Sequence, residues 1–194
     1  MTDARRESMF ARGDGRSRMG TTRRQLLGRG IGLAGAAALP SSLLVATPAL
    51  AQESDETDAL ERLVELELAA ELAYSLAAED GRLDADATAD FELFSTHCGD
   101  HATALSEAID QLGVEPPDPG SDPADYEALA DFDPEAPQRE QLKFMLGIED
   151  DLIQGYSDET ANLEAEDLVR SAAQIAAAHA QMRVALRALG GNPN

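Results

Sequence analysis

The chain has one cysteine, one lysine and no tryptophan, and aromatic residues make up 4% of its 194 positions. A lone cysteine excludes a disulfide within the chain. The shortage of aromatic side chains leaves no stacking platform for bases or sugars. The sequence also lacks a glycine-rich phosphate loop, a Cys-x-x-Cys pair and any Ser/His/Asp set that neighbouring elements would bring together. These absences leave the corresponding nucleotide-binding, thiol-redox and hydrolase functions without support.

Basic residues are scarce after residue 51. Seven remain there against 34 acidic residues, a net charge of −27, and Lys143 is the only lysine. Such a surface repels nucleic acid and anionic lipid. In salt of 1 M the Debye length falls to about 3 Å, which screens most of the self-repulsion. We therefore expect a salt-adapted, halophilic source and no nucleic-acid partner, with an acidic protein from an ordinary medium as the alternative.

The first 51 residues have the opposite charge balance. They contain eight of the fifteen basic residues and only three acidic ones. A mildly apolar stretch follows at 26–46, and such an arrangement is typical of a secretory signal. Arg23 and Arg24, followed by leucines, resemble a twin-arginine export signal, which carries folded proteins across a membrane.

A cleavage signal closes this segment at Ala49-Leu50-Ala51. We predict a signal peptide at 1–51 and a mature domain at 52–194, which is exported to the periplasm, the cell envelope or the medium and is not inserted in the membrane. An uncleaved anchor is the alternative, but charged and proline residues interrupt the span of about 20 apolar residues that it requires.

The mature chain predicts four helices and no strands. Its apolar residues recur with helical spacing, and no stretch alternates in the manner of a half-buried strand. Glycines at the ends of these stretches mark helix stops. The predicted helices span 57–79, 86–112, 137–158 and 165–189.

The links between the helices predict the topology. Two of the links are short, which favours antiparallel hairpins, whereas 113–137 is long and rich in proline, with one expected turn of helix at 125–130. A helix of 25 residues is about 37 Å long, and this link can travel back along it. Two hairpins joined by one long crossover form the ferritin-like all-α bundle. A plain up-down bundle with a loose middle loop is the alternative.

Every predicted helix directs at least one ionisable group into its apolar stripe. The groups are Glu67 with Glu71 beside it on the first helix, Cys98 and His101 on the second, Glu149 on the third and His179 on the fourth. An isolated buried carboxylate is costly and finds a partner or loses its charge. Glutamates and histidines that converge at one depth would satisfy one another or a metal ion.

Each of these groups also has a purely structural interpretation. A single core histidine is more often a hydrogen-bonded part of the packing than a ligand. Cys98 can act as a small apolar side chain, and Glu71 can extend its carboxylate to the surface. His97 lies at the edge of its stripe and is expected to be incidental.

The helices resemble those of exported bacterial ferritin-like domains, which are distant relatives of rubrerythrin and bacterioferritin. The segments that carry the resemblance are "LVELELAAELAYSLA", "FELFSTHCGDHATAL", "LKFMLGIEDDLIQGY" and "IAAAHAQMRVALRALG". They cover nearly all of the mature chain.

The resemblance implies a metal centre with some positions changed. In that family one Glu from each of two helices and a Glu-x-x-His from each of the other two hold two metal ions. Glu67 and Glu149 match the lone glutamates, and His101 and His179 match the histidines. Cys98 and Ala176 stand where the remaining glutamates belong. Glu71 could replace one of them, and nothing obvious replaces the other.

The altered positions favour one metal ion over two. Two Glu and two His suit Fe, Mn or Zn, and Cys98 would shift the preference towards Zn or Cu(I). The sequence thus predicts a metal-binding domain with little or no catalysis. The alternatives are a metal-free bundle that serves as a structural or partner-binding protein of the envelope and, less favoured, a di-iron or di-manganese oxidoreductase. A homo-oligomer suits such a bundle, although its charge opposes association at low salt.

Overall fold

The computed structural model describes residues 53–190 of the chain, which form four α-helices and no strand. Helix α1 spans Glu53–Glu79, α2 spans Ala85–Gln111, α3 spans Gln138–Glu159 and α4 spans Glu166–Leu189. The all-α prediction is confirmed, and the bounds agree within one residue except at the start of α1. Helix α1 begins before residue 57, because acidic residues in its first turn interact favourably with the positive end of the helix dipole.

Helices α1 and α2 form the first hairpin. Gly81 turns the chain between them with a φ of 78°, a left-handed conformation that glycine adopts without steric cost. Asp84 then caps α2, because its side chain accepts a hydrogen bond of 2.9 Å from the backbone N–H of Ala87. Gly113, with a φ of 80°, ends α2 where the sequence predicts a stop.

Helices α1 and α3 are antiparallel neighbours. Arg62, near the start of α1, donates two hydrogen bonds of 2.6 and 2.8 Å to Glu159 at the end of α3. Near the other end of α1, Tyr74 contacts Glu149 in the middle of α3. The chain therefore returns along the bundle between the two hairpins, which confirms the predicted crossover.

The crossover lies against the bundle through short 3₁₀ turns at Pro123–Asp125 and Glu127–Leu129, where one helical turn is predicted. Leu129 is 1% exposed and packs into the core. Gln141, near the start of α3, is also buried and donates hydrogen bonds to two backbone carbonyls of the crossover. The crossover is therefore part of the packed structure.

The predicted signal peptide lies outside the described residues, and the boundary after residue 51 stays a prediction. Of the helices that the structure describes, none is long and apolar enough to cross a membrane.

Candidate metal site in the core

Each helix contributes a glutamate or a histidine to the centre of the bundle, as the apolar stripes predict. Glu67 on α1, Glu149 on α3 and His179 on α4 are fully buried. His101 on α2 differs, since 19% of its side chain is exposed. Charged groups so far from water need partners, and their contacts define what the site can do.

His179 bridges the two glutamates. Its Nε2 lies 2.8 Å from Glu67 Oε1, and its Nδ1 lies 3.0 Å from Glu149 Oε2. Burial lowers the pKa of His179, but the charges and hydrogen bonds of both carboxylates outweigh that effect and raise the pKa to about 10. Without a metal ion the ring is therefore a cation at neutral pH, and each N–H donates to one carboxylate.

Two tyrosines complete this network in a crossed pattern. Tyr74 on α1 donates a hydrogen bond of 2.5 Å to Glu149 Oε1, and Tyr156 on α3 donates one of 2.6 Å to Glu67 Oε1. Burial raises the pKa of each hydroxyl well above its usual value, and the nearby carboxylate raises it further. Both hydroxyls therefore remain neutral donors. Apolar periodicity does not distinguish these tyrosines from other core aromatic residues, although a Glu-x₆-Tyr spacing is repeated on α1 and α3.

Glu67 and His101 are less completely satisfied. His101 Nδ1 lies 3.4 Å from Glu67 Oε1, within ion-pair range but without hydrogen-bond geometry. Among the described residues, Glu67 Oε2 and His101 Nδ1 are buried and have no hydrogen-bond partner. Burial raises the pKa of Glu67, yet the two histidines lower it to about 2, so the carboxylate is charged. A buried anionic oxygen beside an unpartnered imidazole nitrogen is a polar arrangement that a cation would satisfy.

Glu67, His101 and His179 could hold one metal ion. One ligand atom from each lies within 4.8 Å of the other two, and carboxylate oxygen with imidazole nitrogen is a common ligand set for Zn, Fe(II) and Mn. The predicted ligand Glu149 lies outside this group of three. Its oxygens bind His179 Nδ1 and the Tyr74 hydroxyl instead.

The two additional candidates lie around the site rather than among its converging ligand atoms. Cys98 is fully buried close to Glu67, and burial followed by the charges of Glu67 and Glu149 raises its thiol pKa well above the usual value. Glu71 is half-buried and lies against α2, because a Cβ placed on Gly99 would be 2.8 Å from Glu71 Oε1. Neither residue belongs to the group whose ligand atoms converge.

The position of the missing carboxylate on α4 is occupied by Ala176, which is half-buried. A methyl group cannot bind a metal ion, and nothing charged from α4 besides His179 belongs to the described cluster. The residues present therefore fit one ion better than two.

Comparison with protein families agrees with this architecture. The family model for the ferritin-like domain matches residues 55–192, and the chain belongs to that family. The predicted resemblance is thereby confirmed at the level of the superfamily. No curated protein and no solved structure gives a significant match.

Proposed function

We propose that this protein is an exported ferritin-like domain that binds one transition metal ion in its core without full di-iron chemistry. The observation that carries the proposal is the pair of buried, unpartnered atoms Glu67 Oε2 and His101 Nδ1. Leaving such atoms unsatisfied costs about 1–3 kcal/mol each. A bound cation would remove that cost.

Glu67, His101 and His179 are the proposed ligands, and Glu149 is a positioning residue. A metal ion at His179 Nε2 would displace the proton from that nitrogen, while Nδ1–H continues to donate to Glu149. A carboxylate in this role fixes the ring orientation and makes the imidazole a stronger ligand. Fe, Mn and Zn all suit this ligand set of one carboxylate and two imidazoles.

The test is metal content. The full chain is expressed with its signal, purified in high salt without chelator or affinity tag, and measured by mass spectrometry. We expect about one equivalent per chain, on the basis of three protein ligands for one ion. Two equivalents of Fe or Mn with peroxide turnover would support an oxidoreductase instead.

A matched pair of variants assigns the metal to the core. Glu67→Gln removes the charge of the ligand carboxylate, and Glu65→Gln makes the same change on the exposed side of α1. We expect Glu67→Gln to lose the metal and Glu65→Gln to keep it. Equal occupancy in both variants would place the metal elsewhere.

A metal-free bundle is the second candidate, since His179 as a cation already pairs with Glu67 and Glu149. Such a protein would serve as a structural or partner-binding component of the cell envelope. Purified protein that contains no metal, and takes up none on refolding with Zn, Mn or Fe, would favour this candidate.

Export by the twin-arginine route is compatible with both candidate functions. We propose cleavage after Ala51, so that the mature chain starts at Gln52. Replacing Arg23 and Arg24 with Lys should leave the protein uncleaved inside the cell, which immunoblotting of cell fractions would reveal. Export that is unchanged by this replacement would contradict the proposed route.

A further inference from the structure

The three proposed ligands differ in their access to solvent. Glu67 and His179 have no exposed side-chain area, whereas His101 keeps 19% of its side chain exposed. A metal ion that enters the folded bundle must pass a ligand that reaches both the core and the surface. Within the group of three, His101 alone meets that condition.

Side chains pack against one another on two other sides of the site. On the flank of α2 that faces α1, Ser95 donates a hydrogen bond of 3.1 Å to the backbone carbonyl of Glu71, and the Glu71 carboxylate lies against Gly99. Between α1 and α3, the buried hydroxyls of Tyr74 and Tyr156 donate hydrogen bonds to the two glutamates. The partial exposure of His101 makes its flank of α2 the route on which an entering ion meets a ligand first.

His97 lies on that same flank. It precedes His101 by four residues, and residues at this spacing are neighbours on one helix face. Two histidines four residues apart on a helix form a recurrent metal-binding pair. His97 is half-buried, so part of its side chain reaches solvent.

We propose that His97 is the entry ligand of the metal site. His97 and His101 first bind a divalent transition metal ion together. The ion then leaves His97, stays bound to His101 and gains Glu67 and His179 as ligands. The inference rests on the proposed metal site and assigns a role to a histidine that the sequence analysis treats as incidental. The transfer exchanges metal–ligand bonds, and the proton on His179 Nε2 is released to solvent as the ion takes its place.

The test compares rates with affinity in metal-free protein at high salt. Zinc binding and zinc release are each followed in a stopped-flow instrument with a zinc-responsive dye, for the wild type, His97→Ala and the control Thr96→Ala, which changes an exposed neighbour. We expect His97→Ala to slow binding and release by a similar factor, on the order of tenfold, which corresponds to about 1.4 kcal/mol. Affinity and stoichiometry should stay constant, because an entry ligand changes the barrier and not the final state.

Several outcomes would overturn the inference while leaving the metal site intact. These are unchanged rates in His97→Ala, an equal slowing in Thr96→Ala, and a loss of affinity or of a second bound ion in His97→Ala, which would make His97 a resident ligand. A wild-type protein that binds no zinc would overturn both the inference and the proposed zinc site.

Discussion

His179 and His101 occupy corresponding places in the two hairpins, yet their surroundings differ. His179 is fully buried, and both its ring nitrogens are hydrogen-bonded to glutamates. His101 is partly exposed, and its Nδ1 lies near Glu67 without a hydrogen bond. His179 therefore pairs with two buried carboxylates, whereas His101 has a ring nitrogen without a hydrogen bond.

The largest loss of stability is expected when the more constrained histidine, His179, is replaced with Gln. His179→Gln removes the cation between two buried carboxylates, and breaking a buried charge network costs about 3–5 kcal/mol. Urea unfolding of metal-free protein in high salt measures the loss. A change of less than about 1 kcal/mol would show that the network contributes little to stability.

The stability of the metal-free protein should depend on pH through His179 and Glu67. The pKa of His179 rises from an ordinary value near 6.5 to about 10 on folding, so its stabilisation is fully present below pH 6.5 and is lost as the pH rises towards 10. The pKa of Glu67 falls to about 2, so its stabilisation is present above pH 4.5 and is lost as the pH falls towards 2.

Metal-free protein should therefore be most stable near pH 5–6 and should weaken steadily in alkali. Unfolding free energies measured from pH 5 to 10 test this prediction, with His179→Gln as the control that should lack the alkaline decline. A wild-type profile that stays flat up to pH 9 would argue against a protonated His179. Metal affinity should rise over the same range, because the ion competes with the proton on Nε2.

A smaller effect is expected at the tyrosines. Tyr156→Phe removes one donor to Glu67 and leaves a buried acceptor with fewer partners, at a cost of about 1–3 kcal/mol. Tyr126→Phe in the crossover is the control, since its oxygen accepts a bond from the backbone N–H of Gly120 in a partly exposed position. Thermal unfolding that affects both variants equally would assign no special role to the core hydroxyl.

The smallest effect on stability is expected at the less constrained histidine. His101→Gln loses no hydrogen bond at Nδ1, so metal-free stability should change by about 1 kcal/mol or less. Zinc affinity, measured by calorimetry, should nevertheless fall by at least about tenfold, because a ligand is lost. If His101→Gln destabilises the metal-free protein as much as His179→Gln does, the contrast between the histidines is wrong.

Helical periodicity predicted the inward groups well. Each residue is rotated by 100° from the one before it, so the sequence alone determines which residues share one side of a helix. It placed Glu67, His101, Glu149 and His179 in the core, one from each helix. The lengths of the links predicted the long crossover, because two short links and one long link allow few arrangements of four helices.

Helical periodicity could not predict which side-chain atoms contact one another in the core. Whether Glu149 meets the ion or His179 Nδ1 depends on the rotation of α3 against α4 by a fraction of a turn, which apolar spacing does not define. The same holds for Glu71, which lies against Gly99 instead of the core. The tyrosine hydroxyls were missed because a tyrosine ring counts as apolar in a helical stripe, while its oxygen acts as a polar partner at the far end.

Anomalous diffraction would locate the metal ion in the bundle. Crystals of the zinc-loaded mature protein, grown in high salt, are measured on both sides of the zinc absorption edge. We expect one anomalous peak in the core, bonded to Glu67, His101 and His179, with Glu149 still on His179 Nδ1. An empty core in fully zinc-exposed crystals, or two peaks bridged by glutamates, would contradict it.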